Sequence, residues 1–288
     1  MSKRELDPVS GIETTGHEWN GITELDARVP KVIVGWYGIS IAVAVVIVLL
    51  LPAIPLLKTF SPGLLNYSAR GAVETELRSA VIRQGDWKKR MSGLSATQIA
   101  ADPDLVMIAQ AGGKAAFKMN CVACHGEAGR GQTGFPDLTD PAWQWGGSLE
   151  AIVETLRVGI NTQHENTRTA EMLAFGRDGL LTRGQVVQVT NYVRSLSGQS
   201  HDTAAAATGA PLFTEFCVDC HGKEGRGKTD LGAPNLTDGD WLYGGAYADI
   251  YTTVQNGRKG WMPHWSDRLD AETIKMLAVY VKSLGGGS

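Results

Sequence analysis

The chain has 288 residues, 43% of them hydrophobic and 20% charged, with a formal net charge of −3. That balance excludes a disordered or wholly membrane-embedded chain, and it gives no electrostatic reason to expect nucleic acid as a partner. The length allows about two ordinary domains, and only four cysteines are present.

Residues 1–31 are polar and mixed in charge, and they read as a leader. From Val32 to Leu57 there is no charged side chain. The stretch Val32–Leu51 would span about 30 Å as a helix, the thickness of a hydrocarbon core. Pro52 and Pro55 then stop a regular helix, while Trp36 and Tyr37 sit where interfacial aromatics do. The run is too long and begins too late for a cleaved signal peptide. Residues 32–57 are therefore expected to be one retained transmembrane anchor. Lys3, Arg4, Arg28 and Lys31 precede it and Lys58 and Arg70 follow, a mild preference for a cytoplasmic N-terminus.

Residues 58–105 read as a linker on the far side of the membrane. Ala72–Arg83 suits a short amphipathic helix, and Lys88-Lys89-Arg90 a solvated basic turn. Ser95-Ala96-Thr97-Gln98 has the form of a capped helix start, followed by a break at Asp102-Pro103.

Two pentapeptides then carry the chemistry: Cys121-Val122-Ala123-Cys124-His125 and Cys217-Val218-Asp219-Cys220-His221. Each is C-x-x-C-H, the attachment signature of c-type haem. Two thiols three positions apart both reach haem vinyl groups, and the next histidine falls under the iron. All four cysteines lie in these motifs, so none remains for a disulfide or a zinc site. Two covalent haem c groups are expected, on Cys121 and Cys124 and on Cys217 and Cys220, with His125 and His221 as proximal ligands.

The motifs belong to a repeat. Gly113 and Phe117 precede Cys121 at the distances at which Gly209 and Phe213 precede Cys217. Asp137-Leu138-Thr139-Asp140 matches Asn235-Leu236-Thr237-Asp238, and Trp143-Gln144-Trp145-Gly146-Gly147 matches Trp241-Leu242-Tyr243-Gly244-Gly245. Both units close on Tyr-Val-Arg/Lys-Ser-Leu, at 192–196 and 280–284. Two helical domains are expected, 106–200 and 205–288, joined by a linker from Gly198 to Gly209. Each reads as helix, haem motif, Gly-rich loop, middle helix (Leu149–Val158; Tyr247–Gln255), sixth-ligand loop and closing helix. The Gly-rich loops 126–131 and 222–227 lack the strand and the Lys-Ser/Thr of a nucleotide loop and read as tight turns. Arg130, Arg226, Trp143 and Trp241 are candidate donors to haem propionates.

In the second copy Met262-Pro263 resembles the usual distal-ligand loop of small cytochromes c and is expected to bind the second iron through a soft thioether that favours ferrous iron; His264 beside it reads as a neighbour or surface residue. In the first copy the corresponding loop is longer and contains His164 and Met172. An ungapped alignment sets His164 opposite Met262, whereas Met172 lies at the more similar distance from the closing helix. Met172 is expected to ligate the first haem, with His164 the alternative.

One apolar helix followed by two class I cytochrome c domains resembles the di-haem subunit P (FixP/CcoP family) of cbb3-type cytochrome c oxidases. The most specific sign is the leader Thr14-Thr15-Gly16-His17-Glu18-Trp19-Asn20-Gly21-Ile22-Thr23-Glu24-Leu25, which closely follows that subunit's. Where the family has Asn-Pro and paired tryptophans before the membrane, this chain has Ala27-Arg28 and Val32-Ile33. The resemblance implies an all-α protein of the bacterial inner membrane, with its N-terminus cytoplasmic and its haem domains in the periplasm. It implies electrons arriving from a cytochrome c donor and leaving to a mono-haem cytochrome c subunit and the catalytic haem-copper subunit. With both irons six-coordinate, the chain itself would not be the catalytic part. A free-standing membrane-anchored di-haem cytochrome, as shuttle or dehydrogenase subunit, shares the anchor and haems but has no reason to carry the leader. A di-haem peroxidase would need one iron able to open its sixth position.

Overall fold

Asn20 and Gly21 both adopt positive φ, 51° and 87°, the backbone of the tight turn that Asn-Gly favours between antiparallel strands. They join β1 (Thr14–Trp19) to β2 (Ile22–Leu25). This hairpin is an exception to the all-α expectation, and its Asn-Gly signal stood in the leader sequence.

The computed structural model describes residues 4–286, and the chain divides into two compact units, residues up to 83 and residues from 84 onward. In the first unit α1 (Lys31–Leu50) is apolar around its whole circumference and buries no residue. At 20 residues it is about 30 Å long, long enough to cross a bilayer. Its last carbonyls are not left open: Leu64 and Leu65 donate their N–H groups to Leu49 and Leu50 (2.9 and 3.0 Å), satisfying groups every helix end exposes. The stretch expected to be a linker is mostly helical, with α2 at Ala69–Ser92 and α3 at Ala96–Ala101. Lys88, Lys89 and Arg90 lie in the last turns of α2 rather than in a turn. Cations suit a helix C-terminus; Lys88 also pairs with Asp270, and Arg90 with Asp102 and Asp104.

In the second unit Ser95 and Gln98 form the expected reciprocal cap of α3. Asp102 caps α4 (Pro103–Asn120), whose first residue is proline, so Asp102-Pro103 begins a helix as it ends another. Then follow α5 (Val122–His125), α6 (Leu149–Val158), α7 (Arg183–Leu196), α8 (Thr203–Phe216), α9 (Val218–His221), α10 (Tyr247–Asn256) and α11 (Ala271–Ser283). The linker expected from Gly198 to Gly209 is shorter. Asp202 caps α8 through the N–H groups of Ala204 and Ala205, and the Ala-rich run is helical, as alanine's propensity favours.

The packing does not follow the contiguous division 106–200 and 205–288. The closing helix α7 lies against α8, the opening helix of the second copy, and α11 lies against α4, the opening helix of the first. Both crossings are built alike. On α4, Gly113 leaves no room for a Cβ against the Met276 carbonyl, and on α8 Gly209 leaves none against that of Gln188. Phe117 meets Tyr280 with ring centroids 5.5 Å apart, and Phe213 meets Tyr192 at 5.1 Å. One core joins Phe117, Cys121, Ile152 and Leu156 to Ile274, Leu277 and Val281. The other joins Val186, Val189 and Val193 to Phe213, Cys217, Ile250 and Val254. The short connection between α7 and α8 makes those two helices natural neighbours, and α11 is then left to cover α4.

Candidate haem sites

Each C-x-x-C-H motif sits on a single helical turn, α5 or α9, directly after a longer helix. Cys121 and Cys217 are buried while Cys124 and Cys220 are exposed, and none of the four is in a disulfide. Burial, and then the neighbouring cysteine, pushes the Cys121 and Cys217 thiols up to about 11.

His125 Nδ1 lies 3.1 Å from the Pro136 carbonyl and His221 Nδ1 3.0 Å from that of Pro234. A carbonyl only accepts, so Nδ1 carries the proton and Nε2 keeps its lone pair, the tautomer a metal-binding imidazole needs. Burial lowers the pKa of both rings, against the smaller opposite effect of the carbonyl bond, so each stays neutral. The Gly-rich loops close on these histidines as turns: Gly131 N–H donates to His125 O and Gly227 N–H to His221 O, both at 2.8 Å.

Beside the first motif lies an apolar cleft with about 800 Å³ of empty space, part of it open to solvent, within the range of cofactor pockets. Cys121, His125, Trp143, Trp145, Leu156, Ile160, Leu277 and Val281 line it, and so does Met262. A flat apolar group with one bonded edge and an axial imidazole fits this lining. Two buried side-chain nitrogens lack a partner among the described residues, Arg168 Nε and Trp265 Nε1. Trp265 belongs to the core built around Cys121, and Arg168 lies over Trp145 at the cleft. An unsatisfied donor stacked on a ring of the cleft, as Arg168 Nε is, is what a polar-edged cofactor would complete.

The methionines are exchanged relative to expectation. Met262 lies on the cleft of Cys121 and His125, and Met172 packs in the core that contains Cys217. Met172, expected at the first site, is therefore with the second. Two ladder fragments enforce this. Met262 and Ile160 exchange N–H···O bonds of 3.1 and 2.9 Å, and Met172 and Arg258 exchange bonds of 2.8 and 3.0 Å. The cap glycines of α6 and α10 make these approaches possible. Gly159 (φ +68°) would set a Cβ 2.6 Å from Met262 O, and Gly257 (φ +69°) would collide with Met172 O. His164 does not line the cleft: Nδ1 accepts from Asn166 N–H (3.1 Å) and its ring lies 5.6 Å from that of His264.

Of the other candidates, Arg130 and Arg226 are exposed, and Arg226 pairs with Glu224 at 2.9 Å. Trp143 donates Nε1–H to Asp140 O (3.0 Å). Sequence reasoning passed over Arg168 and Arg258. Each precedes a methionine as Arg-x-x-x-Met, a repeat signal hidden by the unequal loops.

Comparison with known proteins is consistent along the whole chain. Residues 11–58 match the N-terminal domain of cytochrome oxidase-cbb3, FixP. Residues 110–197 match cytochrome c, and residues 204–281 match cytochrome C oxidase, cbb3-type, subunit III. The chain is 46% identical over 287 residues to a Cbb3-type cytochrome c oxidase subunit FixP of Bradyrhizobium sp. (strain ORS 278), covering 98% of both chains. It is 44% identical to a subunit CcoP of Azospirillum sp. (strain B510), covering all of both chains. A CcoP of Cereibacter sphaeroides is 42% identical over 95% of each chain.

Proposed function

The chain belongs to the FixP/CcoP family of cbb3-type cytochrome c oxidase subunits, and from that premise we propose a cross-ligated di-haem relay. It is a di-haem electron-transfer subunit of the oxidase. In the relay, His125 and Met262 ligate the haem on Cys121 and Cys124, while His221 and Met172 ligate the haem on Cys217 and Cys220. The observation that carries this pairing is Met262 on the cleft of His125. When bound, haem supplies a one-electron ferric/ferrous couple. The chain's own part is to hold each imidazole in one tautomer, to present a thioether opposite it and to keep water from the apolar cleft.

The remaining features of the reading are a cytochrome c donor, transfer to a mono-haem cytochrome c subunit and the haem-copper catalytic subunit, and one span with a cytoplasmic N-terminus and periplasmic haems. Reporter fusions after residues 30 and 105 should fall on opposite sides of the membrane; the same side for both refutes a single span.

The pairing is tested in a Cys217→Ala, Cys220→Ala background, which leaves only the first haem. There Met262→His should abolish the sulfur-to-iron charge-transfer band and lower the potential, because imidazole favours ferric iron more than thioether does. Met172→His should do neither. The reverse pattern overturns the crossed pairing.

A further inference from the structure

Each segment that carries a methionine also carries an arginine four residues earlier, Arg168 before Met172 and Arg258 before Met262. Both guanidinium groups lie over equivalent rings of the repeated aromatic-Gly-Gly loop. Arg168 Cζ is 4.8 Å from the Trp145 ring centroid, and Arg258 Cζ is 4.3 Å from that of Tyr243. Trp145 lines the cleft of Cys121 and His125. Arg168 therefore stands at the first site, although Met172 packs with Cys217 at the second. Arg258 stands over the matching ring of the second copy, although Met262 lies at the first.

Neither arginine makes a salt bridge among the described residues. Glu154, whose charge Arg168 feels, is held through both oxygens by Arg157 (2.9 and 2.8 Å). Arg168 donates Nη2–H to Ala151 O (3.3 Å), and its buried Nε has no partner; burial lowers its pKa, against the smaller pull of Glu154. Arg258 donates from Nε and Nη2 to Thr253 Oγ1 (3.0 and 2.8 Å), which aims the guanidinium without neutralising it. A partly desolvated guanidinium with no counter-charge is costly, and its planar fork matches a carboxylate. The anionic groups of a c-type haem are its propionates.

We propose that Arg168 binds a propionate of the haem on Cys121 and Cys124, and Arg258 a propionate of the haem on Cys217 and Cys220. Each strap then holds the edge of one haem and ligates the iron of the other. This deepens the cross-ligated reading and rests on it. The guanidinium cancels a negative charge that otherwise favours ferric iron, and it keeps the carboxylate ionised through the neutral range. A cation stacked on an aromatic ring for packing alone would do neither.

The experiment is a redox titration of the haem-loaded full chain in detergent, repeated across the neutral pH range, with Met262→His and Met172→His marking the two haems. Arg168→Gln should lower the ferrous-to-ferric ratio of the Met262-marked haem about tenfold at fixed potential, about 59 mV for a one-electron couple. It should also make that potential depend on pH, because the propionate now titrates. Arg168→Lys should restore most of both properties, and Arg258→Gln should move the other haem. Unchanged potential and pH slope with full haem content would leave only a stacking role and overturn the proposal. A shift in the Met172-marked haem on Arg168→Gln would overturn the crossed placement. If the single-haem background described above assigns Met172 to the first iron, the ligand reading itself fails, and the arginine titrations still report separately.

Discussion

The two haem sites use the same parts at different distances along the chain. In the first copy Gly159 and Met172 are separated by an inserted stretch around residues 160–167, whereas Gly257 and Met262 are close neighbours. Yet the Arg-x-x-x-Met spacing is kept, and the bonds of Met172 to Arg258 and of Met262 to Ile160 are equivalent. Trp265 at one site corresponds to Phe175 at the other, both buried. The difference shows that a loop can grow without moving the methionine, provided the segment that carries the methionine is pinned by its own ladder. It also shows that neither site is complete within one copy, since each opening helix and haem motif is covered by the other copy's closing helix.

The largest expected effect comes from removing one copy. A chain ending at residue 204 keeps Cys121, Cys124 and His125 but loses α11 and Met262. Its remaining haem should lose methionine ligation and bind carbon monoxide, which optical difference spectra would record. A native six-coordinate spectrum would mean that the first copy is self-sufficient and the comparison is broken.

Leu277→Ala is next. Leu277 is fully buried, belongs to the C-terminal copy in sequence and lines the N-terminal cleft. Removing its side chain should cost about 2–5 kcal/mol and disturb the Cys121 haem in thermal melts followed in the Soret band. A disturbance confined to the Cys217 haem would contradict the exchange.

Gly209→Ala sharpens the same point from the other crossing. The new methyl meets the Gln188 backbone, which cannot move as a side-chain tip can. A loss of about 1–3 kcal/mol is expected, felt first at the Cys217 haem, and Gly113→Ala should mirror it at the Cys121 haem. Equal effects of both variants on both haems would show that the crossings are not separate.

The smallest effect should be that of Lys88→Ala, which breaks a half-exposed pair with Asp270 and is worth no more than about 1 kcal/mol. For Asp270, burial pushes the carboxyl pKa up, but hydrogen bonds from Lys88 and Thr273 outweigh it and leave it below the ordinary value. Lys88 is raised by Asp270. The carboxylate's share of stability is thus present above about pH 4 and fades as pH falls through its lowered value. The lysine's share is present below about pH 10 and fades as pH rises through its raised one. Denaturant midpoints across that window should show the deficit of the variant flat in the middle and shrinking at both ends.

Local chemistry made much of this protein legible from its residues alone. Two C-x-x-C-H motifs named the cofactor and pointed to His125 and His221 as its expected proximal ligands, because thioether spacing is satisfied within five residues. An uncharged run of helix-spanning length named the anchor, and repeated motifs named the helices; the cap at Ser95 is as local as the motifs, while Asp102-Pro103, which reads as a break, also caps the next helix. Asn20-Gly21 is an equally local signal, and it turns a hairpin within an otherwise helical chain. What a linear reading could not supply was partnership. Whether α7 covers α4 or α8 depends on two apolar faces with the same Tyr, Val and Leu pattern, which fit either opening helix. The choice is made by the short connection from α7 to α8 and by ladders that place Met262 against Ile160 and Met172 against Arg258. The same ambiguity hid Arg168 and Arg258, whose meaning depends on rings far away in the chain. Ligand types are written in residues, but the pairing of ligand with iron is a property of packing, because only the folded chain decides which of two equivalent surfaces each helix buries.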